Sequence, residues 1–239
     1  YRVHEDPDID KIKDLNKFLF NFGLKIKIVN DKVYPTEVSK ILEEIKGKEE
    51  EKVISTFILR TLKLARYEAE NKGHFGIASK YYCHFTSPIR RYPDLFIHRI
   101  ISKYLEDNYV VNDSWVEDYK EKATQRAATS SEREKIATKV ERDSEDMKKA
   151  EFMQDKIGEE FDGIVSSVTQ FGIFVELENT VEGLIRFENL GNEYFIYDEE
   201  RKRLIGEKSN KTYKIGDKVK IRVISANKIL RQIDFEIVE

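Results

Sequence analysis

The stretch HFTSPIRRYPDLFIHR, His84 to Arg99, concentrates more reactive chemistry than any other part of the chain. Arg90 and Arg91 are adjacent and follow Ser87-Pro88, a pair that suits a helix start because proline fits the first helical position. Tyr92-Pro93 repeats that signal. Guanidinium groups grip phosphate or carboxylate oxygens through paired N–H donors, and a helix N-terminus adds free backbone N–H groups. The combination outlines an anion cradle. The alternative is internal pairing of Arg90 and Arg91 with acidic neighbours such as Asp94. His74, His84 and His98, with the lone Cys83, lack zinc-ligand spacing. Ring packing and backbone hydrogen bonds account for those histidines, and Cys83 reads as a buried small residue. Asp6, Asp8 and Asp10 recur every second residue at a helix start, which does not converge three carboxylates on one point; capping and the helix dipole explain them. Glu141, from the residues alone, is one charge on a solvated helix face.

A second candidate lies further along. Phe171 and Phe174 flank Gly172 in a strand pattern, and Arg186 and Phe187 sit where the next strand could bring them alongside. Exposed rings with scattered cations on one face of a small barrel suit single-stranded nucleic acid, since base stacking on an aromatic ring contributes about 1–3 kcal/mol per base. The alternative is that both phenylalanines are core. Glu200 to Lys214, ERKRLIGEKSNKTYK, reads as a basic connection that either adds phosphate contacts or is a solvated loop.

The elements that must position these residues divide the chain in two. Helical spacing runs from Asp8 to Phe22, and Lys25 to Val29 alternates as a half-buried strand would. Thr36 is placed to cap a short helix ending near Ile45, and a longer helix is expected from about Glu50 to Asn71. Trp115 to Gly158 reads as helix in two pieces, the second opened by a capping box of Ser131 and Glu134 and carrying the stripe Ile136, Val140, Met147. After Gly158 the period falls to two: FDGIVSSV, GIFVELE, EGLIRFEN, KVKIRVISA and RQIDFEIV predict a small five-stranded barrel. The fold class expected is α+β.

Composition narrows the partners. The 239 residues hold 42 basic and 45 acidic side chains, a formal net charge of −3. That argues against coating duplex DNA by bulk charge, and no DNA-specific binding is expected, but a local basic groove is compatible. One cysteine excludes a disulfide framework and suits a reducing cytoplasm. No apolar run approaches the roughly 20 residues of a membrane span, and no membrane partner or secretion is expected. The chain opens at Tyr1 without a methionine, so it is expected to be a piece of a longer protein.

Two blocks carry a family resemblance. GEEFDGIVSSVTQFGIFVELENTVEGLIRFENL, with IGDKVKIRV after it, resembles an S1 domain, an RNA-binding OB-fold barrel. Arg186 stands where that family often has His, and Asn227 where an Asp is usual. GHFGIASKYYCHFTSPIRRYPDLFIHRII resembles the last block of the catalytic domain in the ribonuclease II/ribonuclease R (RNB) family, with TSPIRRYPDL closest to the ribonuclease R branch. YRVHEDPD and VERDSEDMKKAEFM are also similar to that branch. The resemblance implies residues 1–156 as the helix-rich C-terminal part of an RNB catalytic domain and 157–239 as an S1 domain. It implies a processive hydrolytic 3′→5′ exoribonuclease that releases nucleoside 5′-monophosphates and uses Mg²⁺. Arg90 would be the catalytic arginine, Glu141 an acidic helper, and Arg91 a phosphate or structural contact. Phe171 and Phe174 would stack on bases, with Arg186, Phe187 and Arg231 also on RNA. The family's metal-binding aspartates belong upstream of this block, so no metal ligand is expected here. As it stands the chain would be an inactive, RNA-binding portion of the enzyme. A non-catalytic RNA-binding module, or an adaptor held to ribosome or RNA-decay partners, are the rival readings.

Overall fold

The computed structural model describes residues 1–48, 50–191, 193–199 and 201–238, so Glu200 and Glu239, which open the basic connection and close the second domain, lie outside the described residues. The chain forms two compact units, Tyr1–Ala137 and Thr138–Glu239.

In the first unit, α1 (Ile9–Phe20) starts where Asp8 accepts the backbone N–H of Asp10 at 2.9 Å. Its stripe Ile12, Leu15, Leu19 is buried with Val38, Ile41 and Ile45 of α2 (Pro35–Ile45) and Ile54 and Ile58 of α3 (Glu51–Thr61). Three expectations give way here. Lys25 to Val29 joins no strand ladder: Asn16 donates to the Ile26 carbonyl at 2.9 Å and accepts its N–H at 2.8 Å, so a side chain does the work of a neighbouring strand. The cap of α2 is Tyr34 rather than Thr36, because Pro35 takes the first helical position. α3 stops at Thr61, far short of Asn71, and the chain beyond it supplies β2 (Arg66–Tyr67), which pairs antiparallel with β1 (Arg2–Val3).

α4 (Tyr92–Glu106) begins at the second Pro signal; the first yields only a turn. α5 (Asp113–Gln154) is a single 42-residue helix, with no break at Ser131. The residues of the supposed capping box have tertiary partners instead. Ser131 Oγ accepts the Tyr67 N–H at 2.9 Å and donates to its carbonyl at 3.2 Å, and Glu134 pairs with Arg2. The stripe Ile136, Val140, Met147 is exposed.

In the second unit, β3 (Glu160–Thr169), β4 (Gly172–Leu177), β5 (Glu182–Arg186), β9 (Lys218–Asn227) and β10 (Gln232–Ile237) close into a barrel in the order β10-β5-β4-β3-β9. All pairings are antiparallel except β10 with β5. Val165, Ile173, Val175, Ile185, Ile221 and Phe235 fill the interior, together with Ala150 and Met153 of α5. The basic connection is not a loop. β6 (Phe195–Asp198), β7 (Arg203–Gly206) and β8 (Thr212–Lys214) form an antiparallel sheet whose Phe195, Leu204 and Tyr213 join the barrel core. Its period-2 signal is short and diluted by charge, which hid it.

Gly172 is the tightest point of the barrel. Its φ is +143°, and a Cβ there would fall 2.0 Å from the Ile185 carbonyl oxygen of the neighbouring strand. Gly172→Ala is expected to destabilise the barrel by about 3 kcal/mol or more, since neither the strain nor the clash with backbone can relax locally. Urea denaturation followed by circular dichroism measures this, and a loss below about 1 kcal/mol would contradict it.

Candidate nucleic-acid interface

The arginine turn is organised by one buried carboxylate. Asp94, 0% exposed, accepts the Ser87 N–H at 2.7 Å and Arg91 Nη2 and Nε at 2.7 and 3.2 Å, all on Oδ1. The N–H groups of Arg90 and Arg91 both donate to the Ser87 carbonyl, at 3.3 and 3.0 Å, closing a single turn before α4. Burial alone would raise the Asp94 pKa; the Ser87 N–H and the Arg91 guanidinium outweigh it and hold the carboxyl below its usual range. The two arginines therefore differ. Arg91 is half-buried and committed to Asp94, whereas exposed Arg90 makes no ion pair or side-chain hydrogen bond among the described residues.

Around the turn lies a ring cluster. Tyr67 Oη and His84 Nδ1 are 2.9 Å apart, the Arg2 guanidinium lies 4.7 Å from the Tyr67 ring centroid, and Arg2 meets Glu134 at 2.5 Å. Edge contacts run on from His84 to Tyr82, His74 and His4. A pocket of about 320 Å³ opens beside them, lined by Tyr67, Cys83, His84, Phe96 and Arg126 among others. Cys83 is exposed, contrary to its reading as a buried residue.

On the barrel, the turn before β4 is fixed by Thr169, whose Oγ1 accepts the Phe171 N–H and donates to the Gly172 carbonyl at 3.0 Å. Phe171 is left 64% exposed. Phe174 is half-buried outside the packed interior, opposite Leu184, and the bare Gly172 pairs with Arg186, so the surface between rings and guanidinium is open. Ser166, beside a register shift in β3, ties Glu182 at 2.5 Å.

Comparison with known proteins decides what this assembly is. The RNB domain family matches residues 1–107, and the S1 RNA binding domain family matches residues 154–237. Ribonuclease R 1 of Lactococcus lactis is 44% identical over 236 residues, covering 99% of this chain and 29% of that protein. Ribonuclease R of Thermotoga maritima is 40% identical over 240 residues, covering 100% of this chain and 34% of that protein. The apo form of Mycoplasma genitalium RNase R superposes with a TM-score of 0.91 at 31% identity, across 100% of this chain and 37% of that one. The chain belongs to the ribonuclease R family. It spans about a third of the length of the curated relatives it matches.

Within that ribonuclease R framework the expected residues fall in two groups. Arg90 and Arg91 share one turn of the first unit; Phe174 and Arg186 lie on the same face of β4 and β5, and Phe171 stands exposed in the turn before β4. Three of the expected residues, Arg186 among them, are less available. Phe187 packs against the barrel core, Arg231 is paired with Asp143 at 2.7 Å, and Arg186 lies 3.6 Å from Asp234. Glu141 is exposed on α5 in the second unit, with no ion pair or side-chain hydrogen bond among the described residues. Asn227, in place of an aspartate, accepts the N–H groups of Ile229 and Leu230 at 3.0 Å and caps the β9–β10 turn. Sequence reasoning missed Arg2 and Glu134, which meet across 132 positions and leave no local signal. No cluster of three or more His, Cys, Asp or Glu able to hold a metal occurs among the described residues. Asp94 is spent on Arg91 and Glu134 on Arg2.

His4, His74 and His84 all have pKa values lowered chiefly by burial, with further repulsion from Arg2 on each. The unfolded chain takes up these protons first, so stability is complete above the unfolded imidazole value of about 6.5 and is lost as pH falls below it. Urea midpoints read on Trp115, which belongs to this unit, are expected to fall steadily from pH 7 to 5. His74→Phe is expected to flatten part of that slope; a flat wild-type profile would contradict the burial argument.

Proposed function

We propose that the chain is the RNA-holding portion of a processive, hydrolytic 3′→5′ exoribonuclease. In this reading residues 1–156 complete an RNB catalytic domain and residues 157–239 are the S1 domain. The observation that carries it is the division of labour in one turn: Arg91 is fixed by Asp94, so the backbone that presents Arg90 is rigid while Arg90 itself is uncommitted. A guanidinium held out on such a turn can meet a phosphate bidentately and stabilise the charge that grows on it in the transition state. Glu141 is the acidic helper in this scheme. Support for RNA as ligand comes from the exposed Phe171, the half-buried Phe174 and Arg186, and from the matched Mycoplasma genitalium enzyme, whose structures include complexes with ribose-methylated single-stranded RNA and with double-stranded RNA.

Hydrolysis to nucleoside 5′-monophosphates and dependence on Mg²⁺ belong to the proposal for the longer protein, whose metal carboxylates would lie outside this stretch. The cytoplasm is the proposed location, where RNA is met and the exposed Cys83 thiol would stay reduced. By itself the chain is expected to bind RNA without shortening it.

A 5′-labelled single-stranded RNA incubated with the chain and Mg²⁺ tests this on native and denaturing gels. The expected result is a shifted, intact RNA. A shortening ladder abolished by EDTA and by Arg90→Ala would place a full active site here and overturn the division. In the longer protein Arg90→Ala is expected to lower turnover far more than binding.

Phe171→Ala with Phe174→Ala is expected to weaken binding of the same RNA at least tenfold, within the range of losing one or two stacked bases. Unchanged affinity would remove the barrel face from the interface.

A further inference from the structure

The cations of the barrel strands are largely cancelled. Glu160 takes Lys220 at 2.9 Å and Arg222 at 2.7 Å, Glu236 takes Arg222 at 2.8 Å, and Asp143 takes Arg231. The sheet β6–β8 is different. From Phe195 to Lys214 it holds six cations against four acids, three of the acids consecutive at Asp198 to Glu200. Lys202 and Arg203 are engaged by Glu199 and Asp198, but Arg201, Lys208, Lys211 and Lys214 are exposed and form no ion pair among the described residues.

The tip that carries two of these lysines is built, not loose. Glu193 accepts the N–H groups of Lys208 and Ser209 at 2.8 and 2.9 Å, and the Ser209 hydroxyl as well. Those three donations hold its carboxyl below the ordinary range, the hydroxyl first. Gly206 makes the arrangement possible, because a Cβ there would fall 2.5 Å from Glu193 Oε1. On the same sheet Ile196 is half exposed, and Tyr194, two residues before it, is 70% exposed. By strand alternation Ile196, Ile205 and Thr212, which pair across the three strands, face away from core-facing Phe195, Leu204 and Tyr213.

We propose that the β7–β8 tip and the adjoining outer face of the sheet form a second binding surface for single-stranded RNA, with Lys208, Lys211 and Lys214 on successive phosphates and Tyr194 as a stacking ring. This rests on the RNA-binding reading above and adds to the Phe171 and Phe174 rings a place where cations are not already neutralised by carboxylates. Each phosphate neutralised on a single strand contributes about 0.7 to the salt slope, so three lysines should contribute about 2.

The full chain is titrated by anisotropy with labelled oligouridylates of about 6 and about 20 nucleotides, one within and one beyond the roughly 4–16 nucleotides that one such fold covers. Lys208→Ala/Lys211→Ala/Lys214→Ala is expected to bind the longer oligomer at least tenfold more weakly, with the slope lowered by about 2. Binding of the short oligomer should stay within twofold. The corresponding Gln variants keep the Lys211 stem near the Tyr213 ring, which its ammonium approaches to 5.3 Å, and should behave alike. An unchanged slope and affinity for the long oligomer, while the wild type binds both, overturns the second surface alone. Equal losses at both lengths also overturn it. Wild type that binds neither length overturns the RNA reading and this surface with it. Polyglutamate competing as well as RNA at equal charge would replace RNA by an acidic protein as the occupant.

Discussion

One buried carboxylate governs the first unit's chemistry. A charge taken fully out of water survives only if its neighbours supply what water did. Asp94 does so through one oxygen: Oδ1 takes a backbone N–H from Ser87 and two donors from Arg91, while Oδ2 is buried with no hydrogen-bond partner among the described residues. The consequence reaches beyond its own stability. It fixes the register of the Ser87–Arg91 turn against the start of α4, and so decides which of two adjacent arginines faces inward. Adjacent guanidiniums repel each other; pairing one of them internally leaves the other as a net positive charge at a defined point.

The second unit solves a related problem differently. Its strands alternate acidic and basic side chains across the outer surface, and most of these satisfy one another. Such mutual pairing adds little stability at an exposed surface. Its effect is to keep the barrel wall electrically quiet, so that rings rather than charges distinguish the Phe171 face. Excess positive charge is collected on the added sheet, where Glu193 is occupied by backbone and hydroxyl donors of the tip itself.

The sequence made some of this legible and concealed the rest for physical reasons. Strong amphipathic spacing announced α1, and the switch to a two-residue period announced the barrel strands. The exposed position of Phe171 was open at that level, because a strand phenylalanine is ordinarily core; the turn around Gly172 decides it, through a backbone contact no pattern encodes. Ser131 and Glu134 had the spacing of a helix cap, yet long-range partners, Tyr67 and Arg2, claim both side chains while the helix runs on. The same holds for Arg91: adjacency to Arg90 was visible, but the inward turn depends on Asp94 being sealed from solvent. Strands β6–β8 escaped notice because elements of three or four residues bury only one or two positions each, too few to stand out among lysines.

The substitution of Asn16 for a strand partner of Ile26 has a further consequence. A hairpin-like segment of alternating apolar residues, if it were a true edge strand, would present an open row of donors and acceptors that another chain could extend. Here the amide of one helical side chain closes both hydrogen-bonding groups of Ile26, whose own side chain is fully buried. At the centre of this alternating stretch, Ile26 offers no free rung on which a neighbouring molecule could begin a ladder.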